Sequence, residues 1–190
     1  MVATPTYMTA EQLLHSPELG RCELVQGELI RMSPAGFEHG RLVMCVSLPL
    51  ASHVQAHRLG VVIGAETGFL LARDPDTVRA PDVGFVRSER IPPGPLRGFF
   101  PGAPDLAVEV LSPDDRASDV FAKVQDWLDA GARAVWVVDG PRETIAVYRA
   151  GGRMETLRPG DVLAGGDAVP GFSIAVAAVF APPPRPGEGH

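Results

Sequence analysis

The segment Asp105-Leu-Ala-Val-Glu-Val-Leu111 is apolar enough for a core strand, yet it carries a carboxylate in its middle. Successive side chains of an extended chain point to opposite faces. Asp105, Ala107, Glu109 and Leu111 therefore share one face, and Leu106, Val108 and Val110 share the other. Burying an ionised Glu109 among such neighbours is costly unless something neutralises it, and a divalent cation is one efficient answer. Asp82, in Ala80-Pro-Asp-Val-Gly-Phe-Val86, poses the same problem. Either acid could instead pair with an arginine such as Arg79 or Arg116. Two acids at neighbouring strand ends could also clamp Mg²⁺ and leave coordination positions open.

Around these acids the pattern alternates between helix and strand. Thr9 with Gln12 forms a capping box that opens a short helix to about residue 16. Glu23-Leu24-Val25, Gln26-Gly27 and Glu28-Leu29-Ile30 read as strand, turn and strand. Residues 36–58 form a helix with Leu42, Val46, Leu50 and Val54 on one face, Pro49 inside and Gly60 beyond its end. Three strands follow at residues 61–72, 80–87 and 105–112, with a Pro- and Gly-rich loop at 91–104. Ser112-Pro113-Asp114 opens a helix that stops at Gly131, and residues 134–139 are a continuous apolar run of the buried-strand kind. A hairpin around Gly151-Gly152 and a last apolar segment at 172–180 complete the chain. The fold class is thus α/β (α+β): helix, three strands, helix, strand around a mixed central sheet, with an N-terminal helix and hairpin and a C-terminal hairpin. One domain is expected over residues 1–181, followed by a disordered tail at 182–190.

The length of 190 residues and 45% hydrophobic content suit a single core. No stretch approaches the ~18–20 apolar residues of a membrane span, and the start has no signal-peptide pattern, so the expected location is cytoplasmic. Cys22 and Cys45 have neither metal-ligand spacing nor disulfide density and are expected to be reduced. A net charge of −6 argues against a broad nucleic-acid-coating surface, so any such contact must be local. The 17 basic residues comprise 16 arginines and one lysine, Lys123. A lone lysine in an arginine-rich chain is either a chance survivor or a residue whose compact ammonium does what a guanidinium cannot. On a helical wheel Val120, Val124, Trp127 and Leu128 form the apolar stripe, and Lys123 lies at its edge, able to snorkel toward the sheet. The alternative is a surface pair with Asp119 at i,i+4, worth only ~0.3–0.5 kcal/mol.

In this order the residues resemble the PD-(D/E)XK nuclease superfamily, whose core is helix, three strands, helix, strand with acids on the second and third strands. Glu23-Leu-Val-Gln-Gly27, Ser33-Pro34 with His39, Pro81-Asp82-Val83, Glu109-Val-Leu-Ser-Pro113, Lys123 with Trp127, and Gly131 through Trp136-Val-Val-Asp139 resemble the bacterial restriction-endonuclease-like family called Uma-two. The likeness runs from about Thr9 to Phe180. It implies a Mg²⁺-dependent endonuclease, with Mn²⁺ able to substitute, that hydrolyses DNA phosphodiesters. Asp82, Glu109 and the Val110 carbonyl would hold the metal and Lys123 would orient water or stabilise charge on phosphate. The resemblance also brings Glu23 and His39 to the site, although each reads equally well as an ordinary polar residue. A homodimer is implied by the family's habits.

Two departures stand out. The superfamily lysine two residues after the acid is replaced by Leu111, so its role passes to Lys123. The aromatic four residues after that lysine, usually tyrosine in the family, is Trp127, which keeps the packing and loses a hydroxyl. Arg73, Arg79, Arg87, Arg90 and Arg97 are candidate phosphate contacts, with a solvated mixed surface diluted by Asp74, Asp76 and Glu89 as the alternative. The rival to an active nuclease is a catalytically silent nuclease fold used for binding or dimerisation, favoured by the acidic charge and Leu111. His53 and His57 have zinc-like spacing but no third ligand, and read as a packed or interface pair.

Overall fold

The computed structural model describes residues 7–113 and 115–183. Residues 184–190 of the expected tail and Asp114 of the expected helix start lie outside them. The chain opens on α1 (Ala10–Leu14), where both halves of the Thr9/Gln12 capping box form. The hairpin β1 (Cys22–Val25) and β2 (Glu28–Arg31) follows. Its turn residues Gln26 and Gly27 have φ of 50° and 81°, the left-handed pair a tight hairpin needs. α2 (Phe37–Ala56) continues through Pro49. Then come β3 (Gly60–Gly64), β4 (Phe69–Ala72), β5 (Thr77–Arg79), β6 (Val83–Arg87), β7 (Phe100–Pro101), β8 (Leu106–Val110), α3 (Ala117–Asp129) and β9 (Ala134–Asp139). The chain ends with the hairpin β10 (Thr144–Arg149) and β11 (Arg153–Leu157), then β12 (Val162–Ala164), β13 (Ser173–Ala175) and α4 (Val176–Phe180).

The central sheet has the order β11-β10-β9-β8-β6-β3. β8 and β9 are parallel and the other neighbours antiparallel, which makes it a mixed sheet. β8 is buried on both faces. Leu106, Val108 and Val110 pack in the cluster that holds Leu42, Val46, Leu50 and Val54 of α2. Ala107 packs in the opposite cluster with Val124 and Trp127 of α3. Each buried aliphatic side chain contributes roughly 1.5–3 kcal/mol. The period-two expectation therefore holds, and Glu109, two residues beyond Ala107, projects to the α3 side.

A second sheet, β2-β1-β5-β4-β7, was not expected from the sequence. The single strand read at residues 61–72 is two strands belonging to different sheets, separated by a turn in which Glu66 has φ 69°. Just before β4 a Cβ on Gly68 would lie 2.3 Å from the Phe99 ring, so the close approach of that ring requires glycine there. Residues 80–82 are likewise not strand; Pro81 has no N–H to continue a ladder, and the chain passes here from β5 of one sheet to β6 of the other. The segment 172–180 splits into β13 and α4, with Val176, Val179 and Phe180 entering the α2-side core. Among the described residues no helix is long and apolar enough to cross a membrane. Both cysteines are free.

Candidate active site

Glu23 occupies β1, and Leu24 pairs with Val78 of β5, so the next antiparallel step sets Glu23 against Arg79. The Arg79 Nη1 donates to Glu23 Oε2 at 2.9 Å. Val83 pairs with Val108, and the same register carried one residue further sets Asp82 opposite Glu109. α3 then lays Lys123 and Trp127 over this end of the sheet.

The Lys123 ammonium has three partners: Glu109 Oε2 at 2.9 Å, Glu23 Oε1 at 3.1 Å and the Ala80 carbonyl at 3.2 Å. It does not pair with Asp119. Three donors meet three acceptors, which satisfies the ammonium fully within the protein. Burial alone would lower the Lys123 pKa, but Glu109 and Glu23 outweigh it and hold the pKa above the usual lysine range. The group stays an ammonium.

Glu109 is bound from two sides. The Trp127 indole N–H donates to Oε1 at 2.7 Å while Lys123 takes Oε2. Burial dominates, with repulsion from Asp82 and Glu23 added, and pushes the carboxyl up to about 7 despite Lys123. Trp127 keeps the expected packing and, in place of a tyrosine hydroxyl, supplies an indole N–H to Glu109. Asp82 Oδ2 accepts from the Val110 N–H at 2.8 Å and lies 3.2 Å from His39 Nε2. Burial opposes its ionisation, but these two bonds keep its pKa below the ordinary carboxylate value. The His39 pKa is raised, chiefly by the bond to Asp82, with a smaller contribution from the Val110 carbonyl. Glu23 is depressed because Lys123 and Arg79 outweigh its burial.

Asp82, Glu109, Lys123, Glu23 and His39 all line one cleft of about 620 Å³, walled by residues 30–36 and by residues 111–113, Asp115, Asp119 and Val120. The arginine expectations fare differently. Arg73 pairs with Glu11 and Asp76, and Arg87 and Arg90 with Asp105. None of these three, nor Arg97, lines the cleft. Arg79 lines it but is committed to Glu23 and Asp126, and is not the partner of Asp82 or Glu109. Arg73, Arg79, Arg87 and Arg90 thus neutralise the buried acids Asp76, Glu23 and Asp105. Arg21, overlooked in the sequence, lies at the cleft 3.9 Å from Asp82 Oδ1. His53 bonds the Pro170 carbonyl at 3.0 Å, lies 4.2 Å from His57 between ring centroids and packs edge-on against Phe172, the packed-pair reading.

The oxygen donors suit a hard divalent cation. Among the described residues Asp82 Oδ1 has no partner closer than Arg21, and Glu109 carries a charge its surroundings undercompensate. Among the described residues no group of three or more His, Cys, Asp or Glu side chains is arranged as a metal cage. Mg²⁺ characteristically takes one or two carboxylates and retains water, so the donor set fits.

The sequence profile of the Uma2 family, described as "Putative restriction endonuclease", matches residues 9–177. No protein of curated function matches the chain. Among solved structures, one titled "putative nuclease belonging to DUF820", from Anabaena variabilis ATCC 29413, superposes with a TM-score of 0.80. It is 22% identical, and the alignment covers 91% of this chain and 97% of that one. At that identity the likeness is one of fold.

Proposed function

Because the chain belongs to the Uma2 family, we propose that it is a metal-dependent endonuclease acting on DNA phosphodiesters in the cleft around Lys123. The observation that carries this reading is the Lys123 ammonium held between Glu23 and Glu109, at the sheet end where Asp82 stands opposite Glu109.

Asp82, Glu109 and the Val110 carbonyl would hold Mg²⁺ or Mn²⁺. When bound, the cation supplies positive charge against phosphate and acidifies water. The protein's own groups do the rest. Glu23 and the Ala80 carbonyl anchor Lys123, and its third N–H transfers from Glu109 to a phosphate oxygen as substrate enters. The raised pKa makes Lys123 a charge stabiliser and hydrogen-bond donor rather than a base. His39 holds Asp82 in place through Oδ2 and leaves Oδ1, 3.9 Å from Arg21, to the cation. Trp127 fixes the Glu109 rotamer from the core side.

The test is nicking of supercoiled plasmid by purified protein in Mg²⁺ or Mn²⁺, abolished by chelator, by Lys123→Ala and by Asp82→Asn. Wild type that is inert with both metals on single- and double-stranded DNA and RNA would overturn the reading. A silent binding module is favoured by one observation: every donor of Lys123 is already satisfied within the chain. Calorimetric titration separates the two, since a silent module has no reason to bind Mg²⁺ at Glu109.

A further inference from the structure

Arg79 and Asp126 belong to neither the metal donors nor the ammonium, yet they are joined by the tightest ion pair near the cleft. Arg79 gives Nε and Nη2 to Asp126 Oδ2 at 2.9 and 2.6 Å, and Nη1 to Glu23 Oε2 at 2.9 Å. Glu23 uses its other oxygen, Oε1, for Lys123 at 3.1 Å and for the Ala80 N–H at 3.0 Å. A chain of bonds therefore runs Asp126, Arg79, Glu23, Lys123, Glu109. It leaves α3 at Asp126, crosses β5 and β1 of the second sheet, and returns to α3 at Lys123, three residues before its start. Arg79 is buried and Asp126 stands at the partly exposed end.

We propose that Arg79, locked by Asp126, is a positioning residue that holds Glu23 at the one rotamer able to dock the Lys123 ammonium. The inference rests on the reading of Lys123 and Glu109 as the reacting centre. The planar guanidinium fork is what makes the arrangement work: with Nε and Nη2 held on Asp126, the plane is fixed and Nη1 is aimed at Glu23. A lysine at position 79 could supply charge but not this fixed angle. With Asp126 neutralised the fork is free to turn, Glu23 follows it, and Lys123 keeps only Glu109 and the Ala80 carbonyl. Misplacement of a positioned group by about 1 Å costs roughly 100-fold in rate.

The sole lysine gives the experiment its readout. In full-length protein labelled with ¹⁵N-lysine, Lys123 yields the single side-chain ammonium resonance, without assignment. Asp126→Asn should leave the backbone amide spectrum folded while speeding ammonium proton exchange at least tenfold. In the nicking assay kcat should fall about 10- to 100-fold with KM within twofold. Asp126→Glu should restore both. If Asp126→Asn unfolds the chain, Arg79→Lys carries the same expectations. An unchanged ammonium signal in a folded variant would overturn the proposal and leave the pair a structural contact. Because the ammonium readout needs no turnover, an enzyme inert on every substrate would sink the nuclease reading while this arm still decides the clamp.

Discussion

The Trp127 indole N–H and the Glu109 carboxylate meet at 2.7 Å in a buried contact. The indole takes Oε1 while Lys123, one turn earlier on the same helix, takes Oε2. Removing it by Trp127→Phe leaves a buried acceptor with one partner fewer, which costs about 1–3 kcal/mol beyond the smaller ring's cavity. Urea midpoints at constant slope should show the loss, and Trp127→Tyr, with a hydroxyl, should recover part of it. Equal stability of the Phe and Tyr variants would assign the whole effect to packing.

If Mg²⁺ binds at the proposed site, Glu109 should set the pH dependence of that binding. Its folded-state pKa is raised to about 7 from an ordinary 4.5, so the proton is favoured in the folded chain. The stability it contributes is complete below about pH 4.5 and is lost as pH rises through about 7. Mg²⁺ takes only the carboxylate, so it should raise Tm more at pH 8 than at pH 6. Its affinity should fall toward roughly tenfold per pH unit below 7. Calorimetry and thermal melts at pH 6, 7 and 8 check both, and Glu109→Gln should abolish the Tm increment. A Tm increment equal at pH 6 and pH 8 would count against Glu109 as a ligand.

The sequence revealed the acids and the lysine because each broke a local pattern. Glu109 interrupts an apolar strand, and Lys123 is the only lysine in an arginine-rich chain. It did not reveal what they touch. Arg79 reads like any strand-end arginine; its burial and its two acidic partners depend on β1 and β5 pairing, a contact between residues more than 50 positions apart. The second sheet was missed for the same reason, since strands as short as Thr77–Arg79 carry too few residues for a periodic signal. Trp127 was read from its stripe position as packing alone. Only the register of β8 beneath α3 shows where its N–H points.

Glu23 makes the opposite pH prediction. Its carboxyl is depressed by Lys123 and Arg79, so its contribution to stability is present above about pH 4.5 and is lost as pH falls through the lower folded value. Glu23→Gln leaves two cations each short of a counter-charge, and removing one partner of a buried pair costs about 3–5 kcal/mol. Denaturant unfolding should show that deficit at pH 7 and a smaller one below pH 4.5. A deficit of the same size at both would mean that the side chain's shape, and not its charge, is what the fold uses.

Lys123→Arg tests whether the lone lysine is chemistry or chance. The substitution preserves charge and is what the chain's composition would predict at an indifferent site, since its other 16 basic residues are arginines. The three acceptors around Lys123 are drawn from β1, β8 and the link between β5 and β6, and they surround a single nitrogen. A planar guanidinium spreads its donors over three nitrogens about 2.3 Å apart, so it cannot meet all three acceptors at once, and it is bulkier than the space the ammonium fills. The arginine variant should therefore fold, with a Tm a few degrees lower, and lose about 100-fold or more of its nicking rate. Lys123→Ala should be no slower than that by a large margin, because in both variants the anchored ammonium is gone. Full activity in Lys123→Arg would show that charge alone is required there, and the survival of one lysine among the arginines would then carry no meaning for the site.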